Sequence, residues 1–302
     1  MKIKTVRLFY SIILLSSLSL ATIACGESTT SIDIMGTEKT PEDTAKVDIP
    51  QPALRHDSTF TLDFNGNPIE VIVKTSEKEF IGSIIVLPGW NYPNTGWCDS
   101  TDLCTEALSR GYTLILPQMG KSIYCQNTYP QTRQSWLKYP TRKWMSDEMM
   151  PYIQDHFALL LAAQPNFTLG LSTGARGATL LALDHPHIFN ACAALSGDYD
   201  QSAFPKDNLY IGYYGQMNQF EERWTKDDNI ITQIKQLQVP MYVGHGTLDK
   251  VVDIQHSDIF VEAMKQTGLN HLYHVDPNAA HTYSYWNSEV NAMLDFFEPH
   301  TH

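Results

Sequence analysis

The pattern of apolar and polar positions divides the chain unevenly. An apolar run over residues 8–20 stands behind Lys2, Lys4 and Arg7 and gives way to small residues before Cys25. It is too short to span a bilayer comfortably and has the layout of a secretion signal. Residues 26–57 mix acids with Ser, Thr and Pro and show no hydrophobic period, so they cannot bury enough apolar surface to offset chain ordering. Beyond them the pattern becomes regular. Strand-like runs at 59–64 and 69–74 flank Asn65-Gly66-Asn67-Pro68, whose turn chemistry predicts a hairpin. A short continuous apolar run at 83–87 is the signature of a strand covered on both faces, and further strands are predicted at 112–116, 167–171, 191–195, 241–243 and 271–275. Helices are predicted between and after them at 99–110, stopped by Gly111, and at 146–163, 174–183, 229–237, 254–267 and 285–297. Residues 118–145 lack a period but carry Tyr124, Tyr129, Trp136 and Tyr139; with the Tyr- and Trp-rich segment 199–224 they are expected to form an ordered wall. This alternation predicts an α/β fold, a mostly parallel, doubly wound sheet with helices on both faces and ligands at the carboxyl ends of its strands.

The 302 residues suggest two domains if each takes about 150. The pattern overrides that count: 1–24 is a removable signal, 25–57 a flexible acidic linker, and 58–302 one large α/β domain. With 43% hydrophobic and 18% charged residues, that domain can bury a substantial core. The net charge of −12, with no stripe of Lys and Arg, excludes a nucleic-acid partner and gives no electrostatic attraction to an anionic bilayer. Export permits disulfides among Cys98, Cys104, Cys125 and Cys192, and three complete pairings stay open. No C-x-x-C or His-interleaved spacing marks a metal site. Ala21-Thr22-Ile23-Ala24-Cys25-Gly26 resembles a bacterial lipobox, although Thr22 stands where Leu is usual. That resemblance implies lipidation of Cys25, a membrane anchor, and a place at the cell envelope on the periplasmic or outer side; plain secretion is the alternative.

Gly170-Leu171-Ser172-Thr173-Gly174 fits G-x-S-x-G between an apolar strand and a Gly/Ala-rich helix start, the setting in which a strained turn lifts a serine hydroxyl above the sheet edge. Gly177 extends the expectation of close helix–strand approach. A serine needs a base to take its proton and a third group to hold that base, in the chain order Ser, acid, His. Asp249 follows the strand at 241–243 on a Gly-rich turn, and His281 follows the last strand. Asp253, expected to cap a helix, and Asp276, too near His281 in sequence, are weaker candidates for the acid. His245 reads as a structural hydrogen-bonder. His256, His271 and His274 read as packed or solvated, and His185 and His187 as helix-end residues. The oxyanion hole is assigned to the amides of Thr173 and Trp90, in Leu87-Pro88-Gly89-Trp90-Asn91-Tyr92, with Asn91 as the alternative to Trp90.

These stretches, together with Leu195-Ser196-Gly197-Asp198-Tyr199, His245-Gly246-Thr247-Leu248-Asp249 and the segment 280–286, resemble the α/β-hydrolases, nearest to the esterase group that includes S-formylglutathione hydrolases, feruloyl esterases and acetyl esterases. Ala175-Arg176 departs from the group's usual Gly and small or polar residue, and Arg176 is expected to be a buried partner for a carboxylate. The resemblance implies a serine carboxylic-ester hydrolase using a Ser-His-Asp triad and an acyl-enzyme, with no metal or organic cofactor and a small-molecule or glycan-linked ester as substrate. A serine peptidase of the prolyl-oligopeptidase type and an inactive surface binding protein on a hydrolase scaffold are the alternatives.

Overall fold

A computed structural model describes residues 49–136 and 139–301; the signal segment, Cys25 and the linker up to residue 48 lie outside the described residues. Eight strands form one sheet in the order β1-β2-β4-β3-β5-β6-β7-β8. The predicted hairpin is β1 (Ser58–Phe64) and β2 (Asn67–Lys74). Its two linking residues, Asn65 and Gly66, have φ of 53° and 80°. Positive φ at both is the type I′ geometry, whose twist matches that of the strands it joins. β2 is antiparallel to β4 (Tyr112–Pro117), and β3 (Gly82–Leu87), β5 (Asn166–Leu171), β6 (Ala191–Leu195), β7 (Met241–Gly246) and β8 (His271–Asp276) complete a parallel sheet with it.

The runs at β3 to β7 are continuously apolar because each strand is buried on both faces. Ile85, Ile115, Cys192 and Val243 join a core with Met145, Leu181 and Phe260; the alternate positions Ile84, Leu114, Ala193 and Tyr242 join another with Leu103, Trp286 and Met293. A third, smaller cluster of Ile123, Cys125, Tyr210, Tyr213, Tyr214 and Trp224 is built from the long connections.

Several elements depart from expectation. The helix at 99–110 is broken into α1 (Gly96–Ser100) and α2 (Leu103–Arg110), with a Cys98–Cys104 disulfide across the break; Cys125 and Cys192 are free and buried. The helix expected at 146–163 starts earlier and stops sooner. α3 (Thr141–Trp144), a π-helical turn at Met145–Met149 and α4 (Met150–Phe157) run on from one another until Ala158, at φ 50°, ends them. After β5 comes α5 (Thr173–Asp184). The segment between β6 and β7 carries two short helices that its composition hid, α6 (Asn208–Tyr214) and α7 (Glu221–Thr225), and a 3₁₀ stretch at Ile231–Gln236. α8 (Gln255–Thr267) follows β7, and α9 (Tyr283–Ser288) and α10 (Val290–Phe297) close the chain, parted at Glu289. Part of the expected linker also belongs to the domain: Ile49 and Leu54 pack on the core, the Ala53 amide donates to the Phe157 carbonyl (2.8 Å), and Gln164 Nε2 donates to the Pro50 carbonyl (2.8 Å). Two apolar anchors in a polar stretch are enough to tie residues 49–57 down.

Candidate active site

Ser172 occupies the tight turn between β5 and α5 at φ 55°, ψ −129°. A non-glycine residue there is strained, and it is held because the chain on both sides is fixed. The Ser172 amide donates to the Leu195 carbonyl on β6 (2.9 Å). The flanking glycines are obligatory: a Cβ on Gly170 would lie 2.1 Å from the Gly174 carbonyl oxygen, and one on Gly174 would lie 2.4 Å from that of Leu87. Gly177 serves a different purpose from the one expected, since what fills the place of its Cβ is the ring of Tyr124, 2.3 Å away, and not a strand.

The loop after β3 passes directly against the serine, for a Cβ on Gly89 would sit 3.2 Å from Ser172 Cβ. Trp90 and Thr173 line one cavity with Ser172. Among the described residues neither amide has a protein acceptor, whereas the Asn91 amide donates to the Gly120 carbonyl (2.8 Å) and is thereby occupied. Two free N–H groups beside a serine hydroxyl can receive negative charge that develops on a carbonyl oxygen.

Asp249 and His281 meet across the loops that follow β7 and β8, with His281 Nδ1 2.7 Å from Asp249 Oδ2. The other carboxylate oxygen accepts from the amides of Val251 (2.8 Å) and Val252 (2.9 Å), so the acid's own turn fixes its orientation. Burial pushes the Asp249 carboxyl up, but hydrogen bonds from His245, His281 and the Val252 amide outweigh it and hold the group well below the usual carboxylate range. An ionised carboxylate only accepts, so Nδ1 of His281 carries the hydrogen and Nε2 is left to take a proton. The imidazole reaches the serine's surroundings through Trp286. The two rings meet edge-on at 5.0 Å, and Trp286 Nε1 donates to Ser196 Oγ (3.2 Å), next to Leu195. Among the described residues no hydrogen bond joins Ser172 Oγ to His281.

The other candidates have separate duties. Asp253 Oδ1 accepts from the Gln255 amide at the start of α8 (2.9 Å), and Asp276 Oδ1 from the Asn278 amide (2.8 Å). Buried His245 sits between Ser257 Oγ (2.7 Å) and the Val252 carbonyl (3.1 Å), with Nε2 3.5 Å from Asp249 Oδ2, which braces the acid from behind. His271 meets the Leu269 carbonyl (2.7 Å), His274 the Glu289 carboxylate (2.8 Å) and His185 the Ser146 hydroxyl (2.9 Å). Arg176 is buried as expected; it donates to the carbonyls of Ile123 and Asp228, to Gln201 Oε1 and to the Tyr214 hydroxyl, and the carboxyl groups of Asp198 and Asp228 favour its charge without a hydrogen bond. Burial pushes the thiols of Cys125 and Cys192 up to about 12, so neither competes with Ser172 as a nucleophile near neutral pH. Among the described residues no cluster of three or more His, Cys, Asp or Glu side chains is placed to hold a metal ion.

The cavity holds about 560 Å³, and its wall draws on 199–224, one of the two segments expected, but not on the aromatics of 118–145. Tyr124, Tyr129, Trp136 and Tyr139 are absent from its lining; Trp136 reaches it only indirectly, edge-on to Trp90 at 4.6 Å. The wall comes instead from Asp198, Phe204, Leu209 and Tyr210 after β6 and from Val251, Val252 and His256 around the start of α8. His256, expected to be merely packed or solvated, stacks on Phe204 at 3.7 Å and faces this space. The only sequence signals for these residues are the aromatic richness of 199–224 and the position of Asp198 just past a strand end.

Residues 111–297 match the model of the Esterase family, described as "Putative esterase". The chain is 25% identical over 229 residues to the diacylglycerol acyltransferase/mycolyltransferase Ag85C of Mycobacterium leprae, covering 66% of this chain and 68% of the relative. It is 21% identical over 210 residues to the poly(3-hydroxyoctanoate) depolymerase of Pseudomonas fluorescens, covering 70% and 66%. Among solved structures, an S-formylglutathione hydrolase from Agrobacterium tumefaciens superposes with a TM-score of 0.67 at 14% identity, covering 84% of this chain and 100% of the other. Mycobacterium tuberculosis MPT51 superposes at 0.68 and 14%, covering 82% and 100%. At these identities the structural likeness speaks for the α/β-hydrolase fold.

Proposed function

Because the chain belongs to the Esterase family of α/β-hydrolases, enzymes of the carboxylesterase type, we propose that it cleaves carboxylic esters through an acyl-enzyme on Ser172. The observation that carries this reading is the 2.7 Å pair of His281 Nδ1 and Asp249 Oδ2 on the loops beside the strained serine turn. Ser172 Oγ attacks the ester carbonyl as its proton passes to His281 Nε2, and Asp249 orients the imidazole and balances its charge. The Trp90 and Thr173 amides stabilise the oxyanion. His281 returns the proton to the leaving alcohol; water then repeats the sequence on the acyl-enzyme and frees the acid. Ser172 Oγ and His281 Nε2 are to be joined in the substrate complex, since catalytic hydrogen bonds often form fully only there. Esters borne on glycans are the favoured substrates, a choice supported by the aromatic and polar cavity wall. The same reading includes a lipid anchor at Cys25, supported by residues 21–26, that keeps the enzyme at the envelope.

Ser172→Ala is expected to lose fluorophosphonate labelling and to lower kcat on 4-nitrophenyl acetate by about a thousandfold or more. Persistent labelling with unimpaired hydrolysis would remove Ser172 from the mechanism.

A further inference from the structure

The cavity contains more polar chemistry than ester cleavage uses. Both carboxylate oxygens of Asp198, the hydroxyl of Tyr210 and Nδ1 of His256 are buried and have no hydrogen-bond partner, although all three side chains line the space beside Ser172. Asp198 and His256 are 4% exposed and Tyr210 is 1% exposed. They come from three places, the loop after β6, α6 and α8, so a single local irregularity does not explain them. Of the twelve buried side-chain atoms without a partner among the described residues, these four belong to residues that line this one cavity, and that concentration points to a partner that arrives with the substrate.

The character of the wall restricts that partner. Lys206 and Lys250 line the cavity along with Asp207 and Asp253, and the buried Arg176 guanidinium acts on both Asp198 and His256. The carboxyl groups of Asp198, Asp207, Asp249 and Asp253 outnumber Lys206 and Lys250, so a carboxylate gains nothing from entering. Hydroxyls donate and accept at once, and so can satisfy a carboxylate, a phenol and an imidazole together. Burial pushes the Asp198 carboxyl up to about 7 against the pull of Arg176, and burial lowers His256 to about 4, which leaves the imidazole neutral with one donor and one acceptor nitrogen. Phe204, stacked on His256, supplies an apolar face beside these groups.

We infer that Asp198, Tyr210 and His256 form a hydroxyl-recognition subsite that receives a neutral sugar ring carried by the ester substrate. The inference rests on the reading of Ser172 as the nucleophile. Its test compares an acetylated methyl pyranoside with the same ester lacking its remaining ring hydroxyls. The full chain is expected to favour the hydroxylated ester in kcat/KM by about 10- to 100-fold, the range that one or two hydrogen bonds to a buried charged or polar site provide. Asp198→Ala should bring that ratio close to one, and Tyr210→Phe, which removes a single oxygen, should lower it by about fivefold. A purely structural role for Asp198 would depress both esters alike and leave the ratio intact. Saturation-transfer NMR with the free methyl pyranoside adds an arm independent of turnover: binding to the full chain, lost in Asp198→Ala, supports the subsite. A ratio near one in the unaltered enzyme, or a ratio preserved in both variants, overturns it. Failure of fluorophosphonate labelling with sugar binding intact would instead overturn the role of Ser172 and leave the subsite standing.

Discussion

Asp198 and Asp249 line the same cavity and are set to opposite protonation by their neighbours. Asp249 gathers donors from His245, His281 and the Val252 amide, whereas burial dominates at Asp198, whose side chain accepts from no other residue. In the folded state Asp198 keeps its proton up to about pH 7, while an unfolded chain gives it up near 3.8. The folded state therefore binds the extra proton between those values, so the stability tied to this group is present below pH 4 and is lost as pH rises towards 7. The groups acting on it are Arg176, which favours ionisation, and Asp207, which opposes it. Asp198→Asn removes the titration. Its Tm is expected to fall less than that of the unaltered protein between pH 5 and 8, leaving it the more stable at pH 8 by up to about 4 kcal/mol. Parallel Tm profiles for the two proteins would refute this assignment. The strand-end positions of Ser172, Asp249 and His281 are legible in the sequence because each follows a recognisable strand and sits in a short motif of its own. Asp198 was visible only as part of a resembling stretch, since nothing local reveals that its oxygens end without partners. His256 packs as its helical position suggests, but a histidine inside a helical pattern carries no sign of which cavity it lines.

The central strands are legible because two-sided burial leaves short apolar runs, although β7 extends three residues past the run at 241–243 and β8 is half exposed. Helices fared worse wherever local chemistry interrupts the period. Thr101 and Asp102 part α1 from α2 while Cys98 and Cys104 clamp the ends together, so a single predicted helix became two. α6 escaped notice because Tyr210, Tyr213 and Tyr214 bury as an aromatic cluster rather than as an aliphatic stripe. The disulfide closes a short loop, with a sequence separation of 6, and the chain-entropy relation gives it about 2 kcal/mol. Replacing both cysteines by serine is expected to lower the urea midpoint accordingly with no change in the m-value. An unchanged midpoint would mean that the native helices hold this junction without the bond.

For the molecule as a whole, the proposed anchor and the proposed catalytic residues lie far apart along the chain. Among the described residues no helix is long and apolar enough to cross a membrane, and the proposed anchor is Cys25. In bacterial membrane fractions the full chain should partition with the bilayer and Cys25→Ser should appear in the soluble fraction with its esterase activity retained; unchanged partition would reject the anchor. The placement of the first described residues adds a directional consequence. Pro50 is held by Gln164, just ahead of β5, and Ser172 stands just past the other end of that same strand, about 17 Å further on. The chain thus enters at one pole of the domain and the cavity opens at the other. A bead or electrode coupled ahead of residue 49 would grip the enzyme by its base and leave the mouth turned to the solution, which makes that end the one to choose for immobilisation.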